Sequence, residues 1–199
     1  MRIGVFGGSF NPPHAGHLTA ARAFVKEIAL DRLIVIPAGV PPHKRLEVFC
    51  TDEDRLNMTR LNFSSLGEKL IVSDMEIRRE GKSYTVDTLR ELKNGHPHDA
   101  LFLYCGSDML TTFDQWYEYK QILSLCTLCA MRRDGAPGFE KAADALSRVR
   151  LPVRIISSPY TVESSTAIRK ALAEGRTPEG LLPEVAQYIS ERGIYLEQH

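Results

Sequence analysis

An excess of charge of either sign is missing from this sequence: its 199 residues carry 25 Lys and Arg against 25 Asp and Glu, with no basic or acidic block. A nucleic-acid partner held by a strong positive field is therefore not expected. Long apolar runs are missing too, and the opening MRIGVF reads as a strand rather than a basic signal region. The expectation is a soluble, unexported, cytoplasmic protein with no membrane partner. Cysteine is scarce, at four residues: Cys50, Cys105, Cys126 and Cys129. The last two have CxxC spacing but lie in LSLCTLCAM, which reads as a buried strand, where positions i and i+3 face opposite sides. Buried free thiols are expected there, not a metal site or a disulfide. His96 and His98 in NGHPHD read as solvated loop residues. Two phosphate motifs are also absent. No GxxxxGK[ST] occurs, and GVFGGSF does not match GxGxxG, which argues against a P-loop enzyme and a hydride-transferring dinucleotide enzyme.

What is present is alternation. Apolar runs predict strands near Ile3–Phe6, Leu33–Ile36, Leu70–Ser73, Leu101–Cys105, Leu125–Met131 and Val153–Ile156. Helices are expected over Ala15–Ala29, Asp52–Ser64, Tyr84–Lys93, Glu118–Leu123, Phe139–Arg148, Thr166–Glu174 and Glu184–Arg192. Leu18, Ala21, Val25 and Ile28 share one face of the first helix, and Thr51 with Asp54 predicts a capping box at the second. Strands apolar on both faces, alternating with helices, imply an α/β fold. The expected form is a Rossmann-like, doubly wound parallel sheet of five to six strands, with helices on both faces and a helical segment at the C-terminus. With no repeat and no linker, residues 1–199 read as one domain.

The densest chemistry is GGSFNPPHAGH, residues 7 to 17, between the first strand and the first helix. In an open parallel sheet, ligands bind beyond the carboxyl ends of strands, which is where this segment lies. Gly7 and Gly8 allow a tight turn and close approach. The helix starting near Ala15 offers unpaired N–H groups and a positive dipole end, a seat for phosphate. His14 and His17 stand one turn apart with Gly16 between them, and imidazole donates hydrogen bonds and carries charge near neutral pH. A zinc site would lack a third ligand at suitable spacing. The plain alternative is two incidental polar residues at a helix start; the glycines and the strand-turn-helix setting favour phosphate.

This segment resembles the HxGH signature of the nucleotidyltransferase superfamily. PAGVPPHK (37–44), KSYTVDTL (82–89), CGSDMLTTFDQWYEY (105–119) and SSTAIRKAL (164–172) together resemble the bacterial nicotinate mononucleotide adenylyltransferases, in the family's order and over nearly the whole chain. Asn11 departs from the aspartate that many members carry, and its amide can still cap the turn. The resemblance implies adenylyl transfer from ATP to nicotinate mononucleotide, giving the deamido dinucleotide and pyrophosphate in NAD biosynthesis. Alternatives are an enzyme preferring the amide mononucleotide or another phosphorylated acceptor, and a nucleotide-sensing module without turnover. The attacking phosphate is already ionised, so the chemistry needs placement of two anions and charge neutralisation, not a base.

Site residues follow from the resemblance. His14, His17 and Arg169 would be catalytic, and Gly7, Gly8, Ser9, Phe10 and Gly16 would shape the ATP site. Ser165 and Thr166, at the start of the helix carrying Arg169, would meet ATP phosphates; the bland reading is a serine-rich N-cap. Gly106 and Asp108 follow the fourth strand. If the strand order is 3-2-1-4-5, they lie at the switch point, where an acidic residue holds ribose hydroxyls; a helix N-cap is the competing reading. Trp116, the only tryptophan, would stack on the pyridine ring, although a lone tryptophan is more often core. Thr85 and Tyr117 would receive the nicotinate carboxylate, and Lys44 the mononucleotide phosphate. Arg133 would border adenine, with a surface arginine nearly as good an account. Magnesium is implied as cofactor, held mainly by ATP oxygens and water, with no protein metal site. ATP and nicotinate mononucleotide are the implied partners, and a homo-oligomer is left open.

Overall fold

The computed structural model describes residues 1–40, 49–132, 140, 153–157 and 163–196. The apolar runs form six strands: β1 (Arg2–Gly8), β2 (Arg32–Pro37), β3 (Leu70–Val72), β4 (Ala100–Gly106), β5 (Thr127–Arg132) and β6 (Val153–Ser157). All pair in parallel, in the order β3-β2-β1-β4-β5-β6. The chain builds outward from β1 to β3, then crosses back to lay β4 on the other side of β1. The order therefore reverses between β1 and β4, whose carboxyl ends frame a crevice. This is the doubly wound sheet expected from the alternation of runs.

The helices among the described residues are α1 (Ala15–Glu27), α2 (Asp52–Phe63), α3 (Met75–Arg78), α4 (Thr85–Gly95), α5 (Ser107–Leu110), α6 (Tyr119–Leu125), α7 (Ser165–Ala173) and α8 (Pro183–Arg192). Alternate strand residues face opposite sides, so the sheet has two cores. Ile3, Val5, Ile36 and Leu103 pack with Val86 and Leu89 of α4 and Ile122 of α6. Phe6, Leu33, Val35 and Phe102 pack with Leu18, Ala21 and Phe24 of α1. Cys126 and Cys129 divide between the two cores, as a strand's alternation requires. Burial pushes both thiols up to about 12, and Cys105 with them, so none is a ready nucleophile. No described helix is long and apolar enough to cross a membrane.

The differences from expectation are local. α1 stops at Glu27 because Ala29 takes a left-handed φ of 50°. Two four-residue helices, α3 and α5, and 3₁₀ turns at Ser64–Lys69 and Phe113–Gln115 carry no periodicity a sequence can show, being a turn or so long. The helix expected over Phe139–Arg148 lies, apart from Glu140, outside the described residues. His96 lies in a turn, its Nδ1 3.1 Å from Asp99 Oδ2.

The capping box at α2 is present and does more than cap. Thr51 Oγ1 accepts the Asp54 N–H at 3.0 Å, and Asp54 Oδ2 accepts the Thr51 N–H at 3.0 Å. The other carboxylate oxygen accepts Tyr188 Oη at 2.9 Å and Arg192 Nε at 3.2 Å, tying α8 onto α2. Burial works to raise the Asp54 pKa, but bonds from Thr51, Tyr188 and Arg192 outweigh it and hold the carboxyl below its ordinary value. Asp54→Ala is expected to lose about 2–4 kcal/mol of stability at neutral pH. Because the folded pKa is depressed, the wild-type advantage is full above the unfolded carboxyl's pKa and is lost as pH falls through the folded one. Thermal melts of both proteins along an acid series check this; a difference that persists into strong acid would contradict it.

Candidate active site

Phe10 turns the chain after β1. It holds a left-handed φ of 44° while almost wholly buried, stacked 6.0 Å from Phe6 and edge-on to Phe63 at 5.6 Å. The burial of that ring offsets the cost of the backbone strain. The ring lies back over Gly8, where an added Cβ would sit 2.8 Å from it, so glycine is required there.

The rest of the loop is held from outside by its carbonyls. Arg55 of α2, only 2% exposed, donates Nη1 to Ser9 O at 3.0 Å and pairs with Asp52 at 2.5 Å. Arg169 Nη1 reaches Asn11 O at 2.8 Å, and Ser165 Oγ reaches Pro12 O at 2.8 Å. The side-chain oxygen of Asn11 accepts Tyr195 Oη at 2.7 Å, with Cys50 Sγ at 3.5 Å. Three separate parts of the chain thus set one loop, which a loop with no regular hydrogen bonding of its own needs in order to hold a fixed shape.

His14 and His17 emerge from this loop at the start of α1. Their ring centroids are 3.8 Å apart at 38°, and the His14 N–H donates to His17 Nδ1 at 3.2 Å. His14 is 5% exposed and His17 half-buried, with Gly16 buried between them. The geometry expected from the HxGH spacing, two imidazoles side by side, is present.

The residues of the second helix motif separate into two roles. Ser164 supplies the N-cap of α7, accepting the Ala167 N–H at 3.1 Å, which leaves Ser165 to bridge to the loop. Thr166 is exposed, and Arg169 lies with its guanidinium 5.0 Å over the Phe49 ring. Gly106 ends β4 and Asp108, exposed, follows in α5, at the β1–β4 reversal as expected. Lys44 and Arg133 lie outside the described residues.

A cavity of about 430 Å³ opens beside the loop. Gly7, Gly8 and Ser9 line one part of it, and Thr85, Trp116 and Tyr117 another. Trp116 lies 5.2 Å from Phe113, packs against the core and lines the cavity as well. Tyr117 is 52% exposed, its ring 4.6 Å from that of Tyr84 and tilted by 43°. His14, His17, Ser165, Thr166, Arg169, Gly106 and Asp108 are not among the cavity's lining residues. The imidazole pair, Ser165 and Arg169 instead gather at the loop that closes one side of it. Sequence reasoning missed Glu76, Ser83, Tyr84, Thr88 and Tyr104 of the lining, and Arg55 behind the loop. Ser83, Tyr84 and Thr88 had a signal, their place in KSYTVDTL; Glu76, Tyr104 and Arg55 carried none.

Three comparisons bear on the fold and family. The cytidylyltransferase-like family matches residues 5–171. The probable nicotinate-nucleotide adenylyltransferase of Geobacter metallireducens is 41% identical, over 98% of each chain. That of Dehalococcoides mccartyi is 37% identical, over 100% of this chain and 98% of its own. Among solved structures, Plasmodium falciparum nicotinic acid mononucleotide adenylyltransferase complexed with NaAD superposes with a TM-score of 0.75 at 20% identity, covering 98% of this chain and 97% of that one. The same enzyme complexed with APC gives 0.75 at 19%, over 98% and 96%.

Proposed function

The chain belongs to the nicotinate-nucleotide adenylyltransferases of the cytidylyltransferase-like family, and from that premise we propose that it makes nicotinate adenine dinucleotide and pyrophosphate from ATP and nicotinate mononucleotide, in the cytoplasm, as one domain over residues 1–199. The observation that carries this is the adjacency of two features. An imidazole pair 3.8 Å apart stands on the loop whose other side lines a cavity walled by Trp116, Tyr117 and Thr85.

In this reading the mononucleotide occupies the cavity, its ring against Trp116 and its carboxylate at Thr85 and Tyr117. ATP lies across the β1–β4 reversal, its ribose at Gly106 and Asp108 and its phosphates between the His14–His17 pair and the start of α7. Lys44 serves the mononucleotide phosphate and Arg133 borders adenine. An oxygen of the mononucleotide phosphate attacks the α-phosphorus, the bond to the β-phosphate bridge breaks, and pyrophosphate leaves with the electron pair. The nucleophile is already an anion, so no side chain removes a proton. His17 hydrogen-bonds the α-phosphate, His14 and Arg169 offset charge on the leaving phosphates, and Ser165 and Thr166 meet those phosphates at the start of α7. The loop is braced before substrate arrives, so these donors need little reorganisation.

Among the described residues no three His, Cys, Asp or Glu side chains stand together as a metal-ligand set. We keep magnesium with the triphosphate and water, where it would offset phosphate charge, and no protein step depends on it.

Pyrophosphate release from ATP is to be measured with nicotinate mononucleotide, its amide and phosphopantetheine as acceptors. The acid mononucleotide is expected to give the highest kcat/KM. Turnover on the amide or phosphopantetheine in its place would reassign the acceptor, and binding of ATP and mononucleotide without release would make the chain a sensor.

A further inference from the structure

The cavity has an unexpected charge pattern. Four of its lining residues are the aromatic rings Tyr84, Tyr104, Trp116 and Tyr117, and among its described lining residues no lysine, arginine or histidine occurs. One carboxyl does: Glu76, on the four-residue helix α3, is only 9% exposed. A buried carboxylate on a cavity whose described lining holds no cation is a costly arrangement, and it matches a ligand group that brings positive charge.

The surroundings hold that carboxyl in place. Glu76 Oε1 accepts Thr88 Oγ1 at 2.7 Å, and the Gly39 N–H hydrogen-bonds the carboxyl as well. The end of β2 comes so close that a Cβ on Gly39 would lie 2.2 Å from Glu76 O, and only glycine fits. Arg79 stands behind, donating Nη1 to Thr88 Oγ1 at 2.9 Å and Nη2 to Glu91 at 2.7 Å. The guanidinium thus pairs directly with Glu91 and acts on Glu76, the carboxyl on the cavity, only at a distance and through Thr88. Burial pushes the Glu76 carboxyl up, against the pull of Thr88, Arg79 and Gly39, as befits an acid short of countercharge.

We propose that Glu76 is the counter-ion for the substrate's N-alkylpyridinium ring, and with the surrounding aromatic faces makes this site select a mononucleotide whose ring is positively charged. The inference rests on the reading of the cavity as the mononucleotide site and deepens it. A pyridinium carries a fixed positive charge that no pH change removes. Aromatic faces attract such a cation, and a desolvated carboxylate does so more strongly. Without the acid, only the weaker pull of the aromatic faces would be left to favour the charged ring over a neutral one.

The plain alternative is that Glu76 only braces α3 against α4 through Thr88. Glu76→Gln separates the two, since it keeps the shape and an acceptor for Thr88 but removes the charge. The readout compares nicotinate mononucleotide with its 1,4-dihydropyridine form, which keeps phosphate, ribose and carboxylate but has an uncharged ring. Wild-type protein is expected to prefer the charged ring in kcat/KM. Glu76→Gln should lower that preference about tenfold, the scale of one partly desolvated charge contact, with the KM for ATP within about twofold of wild type. An unchanged preference, whether or not overall activity falls, overturns the proposal, and so does a wild type that treats the two rings alike. If the glutamine variant does not fold, Glu76→Asp gives the same reading: it keeps the charge but draws it back by one methylene, so the preference should fall part way, and no fall overturns it. A wild type that releases no pyrophosphate with nicotinate mononucleotide would instead sink the functional reading itself.

Discussion

His17→Ala is expected to lower the rate of pyrophosphate release by a hundredfold or more while leaving a folded protein. A donor aimed at charge that develops in the transition state is worth about that factor when removed from an otherwise intact site. Its structural cost is smaller. The His14 N–H loses its His17 Nδ1 partner, a capping interaction of about 1 kcal/mol, and Phe10 loses an edge contact at 5.1 Å. The neighbouring Phe6 and Phe63 contacts of Phe10 remain to hold the turn. Turnover and melting temperature measured on the same preparation distinguish the two effects. Activity within a few-fold of wild type would remove the imidazole pair from the chemistry.

Arg169→Ala is expected to lower kcat/KM for ATP by roughly a hundredfold, the scale of a lost phosphate cation. Two functions are lost together here. The guanidinium supplies positive charge beside the loop, and its Nη1 bond fixes Asn11 O at 2.8 Å. Arg169→Lys distinguishes them. Lysine keeps the charge but presents a single ammonium in place of a planar fork, so it should recover part of the lost kcat/KM if charge matters most. If bracing matters most, lysine should recover little, and the loss should track a fall in melting temperature. Recovery without a change in stability supports the electrostatic role; no loss in either variant would contradict it.

Much of this molecule is legible one segment at a time. A strand needs only its apolar run and a helix only its periodicity, so the six strands and the helices longer than two turns among the described residues follow from local pattern. The opposite placement of Cys126 and Cys129 follows from the two-residue alternation of a strand. The imidazole pair is legible only in part: His17 stands in the first turn of α1, but His14 is the extended N-cap before it, and the pair meets through the His14 N–H bond to His17 Nδ1. The position of the candidate site was legible on one condition, a strand order of 3-2-1-4-5, because a parallel sheet leaves its crevice where the strand order reverses.

Contacts between distant segments obey no such rule. Tyr195 meets Asn11 across 184 residues, Arg169 meets the same residue across 158, and Arg55 meets Ser9 across 46. Glu76 sits on a helix of four residues, too short for any periodicity to mark one face as buried. It became part of a cavity only when the end of β2, Thr88 of α4 and the aromatic rings closed around it. Period and spacing are properties of the backbone and are written in the chain. Which side chain is stripped of water and left facing a ligand is decided by how separately formed pieces pack, and only the folded structure holds that information.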